Sequence, residues 1–201
     1  MSSGYGNSRL PAAGPAALMA YYRLLRSHGL NDSHSGNASC RDGARVWITP
    51  TGCCADTATA EDLVLCDPAE RAPPGASLDA GLHLAVYRSS PGTTAVLHSH
   101  GPYAVTMSRE TDEFRPDDFE GRYYFGRVPV IAVADQDYLN ESPERVAAAL
   151  QDSPVAIIRG HGIYARGETL DEAYKWSCSL ESSARLAWMA RVANIKPGTH
   201  P

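Results

Sequence analysis

Three histidines carry the clearest chemistry in this chain. His98 and His100 flank Ser99 at the end of the apolar run Thr94-Ala95-Val96-Leu97, and His161 stands in Arg159-Gly160-His161-Gly162. Successive side chains of a strand point to opposite faces, so imidazoles at i and i+2 project to one side and can grip one cation. Three neutral imidazoles would leave one coordination position open, as a catalytic zinc requires for substrate or water. The glycines beside His161 would let backbone approach a metal closely. The same residues could instead flank a strand end and fill an ordinary glycine-rich turn, and spacing alone favours neither reading.

Asp79 lies in the first turn of the helix expected just before the histidine strand. A carboxylate there could meet a metal or act as a base, although position alone favours simple compensation of the helix dipole. His83, one turn further, reads as a packed or hydrogen-bonded structural residue. Gly36-Asn37-Ala38-Ser39, Thr51-Gly52 and Ser77 offer hydroxyls, an amide and backbone N–H groups of the kind that hold phosphate or carboxylate. Each of these also marks ordinary turns.

The elements that must position these groups alternate between helix and strand. Leu18, Tyr21, Tyr22 and Leu25 repeat at helical spacing between Pro15 and His28, and Gly29 ends that helix. The polar, glycine-bearing stretch from Asp32 to Asp42 reads as a loop leading into a strand at Val46-Trp47-Ile48, with a second strand at Leu63 to Cys66. Ser77 is the expected N-cap of the helix carrying Leu78, Leu82, Ala85 and Val86. After the histidine strand come a short helix at Gly101 to Met107 and a charged, aromatic segment, Glu110 to Gly126, expected to be mobile or variable. Strands at Val128 to Val133 and Val155 to Ile158 enclose a helix opened by Ser142-Pro143, and the capping box Thr169-Leu170-Asp171-Glu172 opens a long last helix. This pattern specifies an α/β layer fold, in which a sheet is covered by helices.

A 201-residue chain with 43% hydrophobic residues can bury one substantial core. A single domain over 15–195 is expected, with residues 1–14 a flexible N-terminus and 196–201 a tail. The formal charge of −5 argues against nucleic acid or an anionic membrane as partner, and points to a small-molecule substrate. Absence of a signal-like segment and an odd count of five cysteines suggest a cytoplasmic protein with reduced thiols, none of them catalytic.

Taken in order, Gly36-Asn37-Ala38-Ser39, Ile48-Thr49-Pro50-Thr51-Gly52, Ser77-Leu78-Asp79, His83, His98-Ser99-His100 and Gly160-His161-Gly162 resemble the class II aldolase/adducin family. The likeness continues through Thr169 to Ala173 and Leu180-Glu181, and so spans Ala16 to Val192. It implies a three-layer α/β/α fold around a mostly antiparallel sheet, a homotetramer with sites near subunit interfaces, and a divalent metal, usually Zn2+, with Mn2+, Co2+ or Fe2+ as alternatives. It makes His98, His100 and His161 the metal ligands and Asp79 the catalytic acid–base. Asn37, Thr51, Gly52 and Ser77 fall where such enzymes hold a substrate phosphate. The expected activity is that of an aldolase-type lyase working on a small hydroxy-carbonyl substrate through a metal-stabilised enediolate. A β-keto-acid decarboxylase, an epimerase or dehydratase, and a non-catalytic adducin-like interaction domain are the alternatives. Where aldolases of this family carry Ser-Ser-Glu, this chain has Ser77-Leu78-Asp79, which shortens the acid by one methylene and removes a hydroxyl. Tyr123, Tyr124 and Tyr138 are the candidate proton-donating phenols.

Overall fold

The histidine strand lies near the middle of an eight-stranded sheet. The computed structural model describes residues 13–195. In chain order these form α1 (Gly14–Ser27), β1 (Asn37–Asp42), β2 (Arg45–Ile48), β3 (Val64–Cys66), α2 (Ala80–Ser89), β4 (Ala95–Ser99), α3 (Pro102–Met107) and β5 (Glu113–Phe114). There follow α4 (Phe119–Tyr124), β6 (Val128–Ile131), α5 (Tyr138–Asp152), β7 (Val155–Ile158), β8 (Gly162–Gly167) and α6 (Leu170–Val192). The sheet order is β3-β2-β1-β4-β8-β7-β6-β5, and every neighbouring pair runs antiparallel except β6 with β7.

Both faces of the sheet are covered, which is why β4 is buried along its whole length. Val96 on β4 and Tyr164 on β8 pack with Leu82, Val86 and Tyr87 of α2 and Val146 and Leu150 of α5. Ala95 and Leu97 face the other way, against Leu18, Tyr22 and Leu25 of α1 and Leu170 and Ala173 of α6. The period-2 alternation of β4 thus divides its side chains between two helical layers and places His98 on the α2/α5 side. The expected three-layer α/β/α fold is observed.

Register then assembles a row across three strands. Asn37 on β1 pairs with His98, and His98 pairs with Tyr164 on β8. Directly opposed residues of antiparallel strands share a face, so these three side chains stand side by side.

Five local expectations are corrected. Asn37–Asp42 is a strand rather than part of a loop, its polar residues Asn37 and Ser39 buried by the elements packed around them. The second helix begins at Ala80 with Asp79, not Ser77, in the capping position; Ser77 Oγ instead accepts from the Asp79 N–H at 3.3 Å. Helix α5 begins at Tyr138, so Pro143 lies inside it rather than at its first turn. The segment Glu110 to Gly126 contains β5 and α4, with Asp118 Oδ1 capping α4 through the Gly121 N–H at 2.8 Å. Gly14, assigned to the flexible start, is the first residue of α1; residues 1–12 and 196–201 lie outside the described residues.

Candidate metal centre and active site

Three strand ends deliver the histidines to one point. His98 is the last residue but one of β4, His100 follows one residue past its end, and His161 occupies the turn between β7 and β8, whose sharpness is set by Gly160 at φ +67. The Nε2 atom of His98 is 2.8 Å from that of His100 and 3.3 Å from that of His161. One ligand atom from each ring lies within 4.8 Å of the other two. A Cβ at Gly162 would fall 2.5 Å from the Ser99 carbonyl and 2.7 Å from the His98 ring, so only glycine lets β8 close on the histidine strand here.

His98 is 1% exposed, and its Nδ1 lies 2.9 Å from the Ile163 carbonyl oxygen. That carbonyl can only accept, which puts the ring hydrogen on Nδ1 and aims the bare Nε2 lone pair at the other two imidazoles. Burial pushes the pKa of His98, His100 and His161 below the usual imidazole value against the upward pull of Asp79, and neighbouring histidines add to the lowering at His98 and His100. Neutral, converging, partly desolvated nitrogen donors fit a divalent cation of borderline softness.

Asp79 faces this cluster from the start of α2. Its Oδ2 lies 3.8 Å from His98 Nε2 and accepts from the Asn37 amide at 2.8 Å and from the Tyr164 hydroxyl at 3.0 Å. Its Oδ1 accepts from the Tyr138 hydroxyl at 2.8 Å. Burial alone would raise the pKa of this carboxyl, but His98 and the donated hydrogen bonds outweigh it and hold it below the usual carboxylate range. Because His98 is itself kept neutral by burial, the hydrogen-bond donors are the durable part of that effect.

The two phenols also touch each other, Oη to Oη, at 2.6 Å. Two hydroxyl hydrogens therefore serve three oxygen–oxygen contacts, and the triangle of Asp79, Tyr138 and Tyr164 has room for one more proton. Both rings brace the histidines: Tyr164 stacks on His98 with centroids 4.1 Å apart, and Tyr138 on His161 at 4.9 Å.

All eight residues singled out from the sequence, Asn37, Thr51, Gly52, Ser77, Asp79, His98, His100 and His161, line one cleft of about 380 Å³. Their hydrogen bonds divide them. The Asn37 amide is committed to Asp79, and the Thr51 hydroxyl donates to the Ala76 carbonyl at 2.7 Å. The Ser77 hydroxyl hydrogen and the Gly52 N–H have no acceptor among the described residues. No lysine or arginine lines the cleft among those residues, whereas Leu78, 66% exposed, does.

Of the three candidate phenols only Tyr138 reaches the cleft. Tyr123 is exposed and Tyr124 packs on Trp176. Sequence reasoning missed Tyr164 because it missed β8; the alternation of Ile163 and Ala165 with Tyr164 was the available signal. His83 is structural, as expected. It is fully buried beneath the site, its Nδ1 2.7 Å from the Ser39 hydroxyl, and burial pushes its pKa down to about 4. The five cysteines stand outside the cleft as free thiols.

A mixed sheet sandwiched by helices, with three histidines and a carboxylate gathered beside the carboxyl end of β4 in an arrangement that could hold a metal ion, defines the class as a three-layer α/β protein. The sequence profile of the Class II Aldolase and Adducin N-terminal domain matches residues 16–188, and the chain belongs to that family. A methylthioribulose-1-phosphate dehydratase from Yersinia enterocolitica is 30% identical, over 90% of this chain and 95% of its own. An L-fuculose phosphate aldolase from Methanococcus maripaludis is 28% identical, over 87% and 94%. An L-ribulose-5-phosphate 4-epimerase from Salmonella paratyphi A is 26% identical, over 88% and 84%. Among solved structures, L-fuculose-1-phosphate aldolase from Thermus thermophilus superposes with a TM-score of 0.82 at 33% identity, covering 92% of this chain and 97% of that one.

Proposed function

We propose that this protein is a divalent-metal-dependent lyase of the aldolase type, cleaving or forming a carbon–carbon bond in a small hydroxy-carbonyl substrate. The observation that carries this reading is the convergence of His98, His100 and His161 within reach of the buried, hydrogen-bonded carboxylate of Asp79. That convergence also counts against a non-catalytic interaction domain. Zn2+ is the metal the nitrogen donor set suits best, with Mn2+, Co2+ or Fe2+ able to occupy it. Such an ion would supply Lewis-acid stabilisation of the charge left on the substrate when the bond breaks.

The protein's own groups handle the proton. Asp79, kept ionised by Asn37, Tyr138 and Tyr164, retains one of its roughly four lone-pair sites for a substrate hydrogen. In cleavage it takes the hydroxyl proton, the carbon–carbon bond breaks, and the electron pair passes to the carbonyl fragment. Tyr138, bonded to Asp79 and open to the cleft, is placed to pass a proton to that fragment while Asp79 replaces it. At the other end, the Ser77 hydroxyl and Gly52 N–H are positioned to hold a phosphate or carboxylate, with the Thr51 hydroxyl bracing the loop at Ala76 and the Asn37 amide turned to Asp79. With no cationic side chain there, neutral donors would carry that contact.

A second reading, dehydration or epimerisation at the same site, is favoured by the relatives themselves, since a dehydratase and an epimerase match about as closely as an aldolase, and decarboxylation of a β-keto acid is the remaining alternative. The reading extends to a cytoplasmic homotetramer, for which the exposed Phe119, Tyr123, Leu186 and Met189 offer apolar surface to bury. Metal-loaded protein incubated with sugar phosphates, aldehyde–ketone pairs and β-keto acids, read by mass spectrometry, tests the chemistry. Release of an aldehyde is the expected result; carbon dioxide without aldehyde would replace the aldol reading by decarboxylation.

A further inference from the structure

Glu181 is a buried acid, 9% exposed, that the chemistry above does not use. It lies midway along α6, eighty-one positions after His100 in the chain, yet its carboxylate reaches the residues that directly follow that histidine. Oε1 accepts from the Tyr103 N–H and Oε2 from the Ala104 N–H, each at 2.9 Å. These are the first two N–H groups of α3, because Pro102 has none. The turn between His100 and α3 is Gly101, where a Cβ would stand 2.4 Å from Glu181 Oε2 and 2.8 Å from its carboxyl carbon. A residue with any side chain there would push the carboxylate away, so Gly101 and Glu181 form one device.

His100 needs such a device more than His98 does. It lies one residue past the end of β4, outside the ladder that pairs His98 with Asn37 and Tyr164. On its N-terminal side its backbone N–H is held by the Leu30 carbonyl at 2.8 Å and by Asn31 Oδ1 at 3.0 Å. On its C-terminal side the N–H groups that open α3 are held by Glu181, with Ala104 packed behind them against Leu180 and Ala184. We infer that Glu181 is a positioning residue for the metal centre: its two-pronged grip on the start of α3 fixes the backbone that aims His100 at His98 and His161.

The inference rests on the reading of these histidines as metal ligands, and the experiment separates the two. Zn2+ affinity is measured by competition with a chromophoric chelator for the wild-type chain, Glu181→Gln, Gly101→Ala and Asp171→Asn. Glutamine keeps the shape but offers one acceptor oxygen for two N–H groups. Asp171 is a control on the same helix; it accepts from Tyr21 at 3.1 Å and lies away from the cleft. We expect Glu181→Gln and Gly101→Ala each to weaken Zn2+ binding about tenfold, the lower end of what loss of a supporting contact costs a metal site. Substituted Co2+ should show an altered visible spectrum in both, with Asp171→Asn matching wild type whatever its melting temperature. Wild-type affinity in a folded Glu181→Gln variant, or an equal loss in Asp171→Asn, would overturn the inference and leave the metal reading standing. If Glu181→Gln does not fold, Gly101→Ala, which keeps the carboxylate, decides on the same criterion. A wild-type chain that binds no Zn2+ would overturn both.

Discussion

The two ends of the cleft are built on different principles. At the histidine end every side chain comes from or abuts the central strands: His98 and Tyr164 are opposed across β4 and β8, and Asp79 takes three donated hydrogen bonds. At the loop end, Thr51, Gly52, Ser77 and Leu78 lie on turns between elements, and the groups that face outward have no protein partner among the described residues. On the proposed function, the difference teaches which half suits chemistry and which suits selection. A group that must be placed to a fraction of an ångström is over-determined by rigid strands, whereas loops can be exchanged without disturbing the sheet.

The contrast is broken most severely at Asp79. Asp79→Asn should lower turnover by about 10²–10⁴-fold, the range general acid–base catalysis supplies, while metal content by elemental analysis stays at the wild-type level. Retained turnover would remove Asp79 from the reaction. Next in size, Tyr138→Phe removes a hydrogen bond to a charged group, which at about 1.5–3 kcal/mol corresponds to roughly ten- to a hundredfold in kcat. Tyr123→Phe, at an exposed position, should change neither kcat nor KM in the same assay. At the loop end a smaller effect of another kind is expected: Leu78→Ser should raise KM-based preference for phosphorylated over unphosphorylated substrates severalfold, with kcat little altered. A fall in kcat matching that of Tyr138→Phe would erase the distinction between the halves.

The smallest effect concerns acid. His83, His98, His100 and His161 all have folded-state pKa values depressed by burial from 6.5, so the unfolded chain binds more protons as pH falls. The metal-free protein should therefore lose melting temperature steadily as pH drops from about 7 to 5, the window opened by titration of the unfolded imidazoles near 6.5. His161→Gln should flatten that slope. A melting temperature that rises on acidification would contradict the buried, neutral histidines.

Legibility in the sequence followed the same division between strong local signals and long-range pairing. Helix α1 and the Thr169 cap of α6 are written in periodicity and cap chemistry, although Glu172 accepts from the Glu168 N–H rather than completing the box on Thr169, and β4 is written in its apolar run, so local physics sufficed. Strands β1 and β8 were hidden because their residues answer to partners far away: Asn37 and Ser39 are polar yet buried against Asp79 and His83, and β8 begins with a glycine required by Ser99 and His98. Their concealment is also why Tyr164 went unnoticed, while the histidines and Asp79, marked by spacing and order, were found.

The place of β4 in the sheet has a consequence for biosynthesis. Its two neighbours are β1, made earlier, and β8, which begins sixty-three residues after Ser99 in the chain. A ribosome that has just completed the first two histidines has supplied neither the carbonyl that orients His98 nor the third ring. On the proposed metal reading, capture of an ion by all three rings must wait until β8 is made, and until then the half-made sheet exposes one flank of β4 as an open edge, a stage at which assistance from a chaperone would matter most.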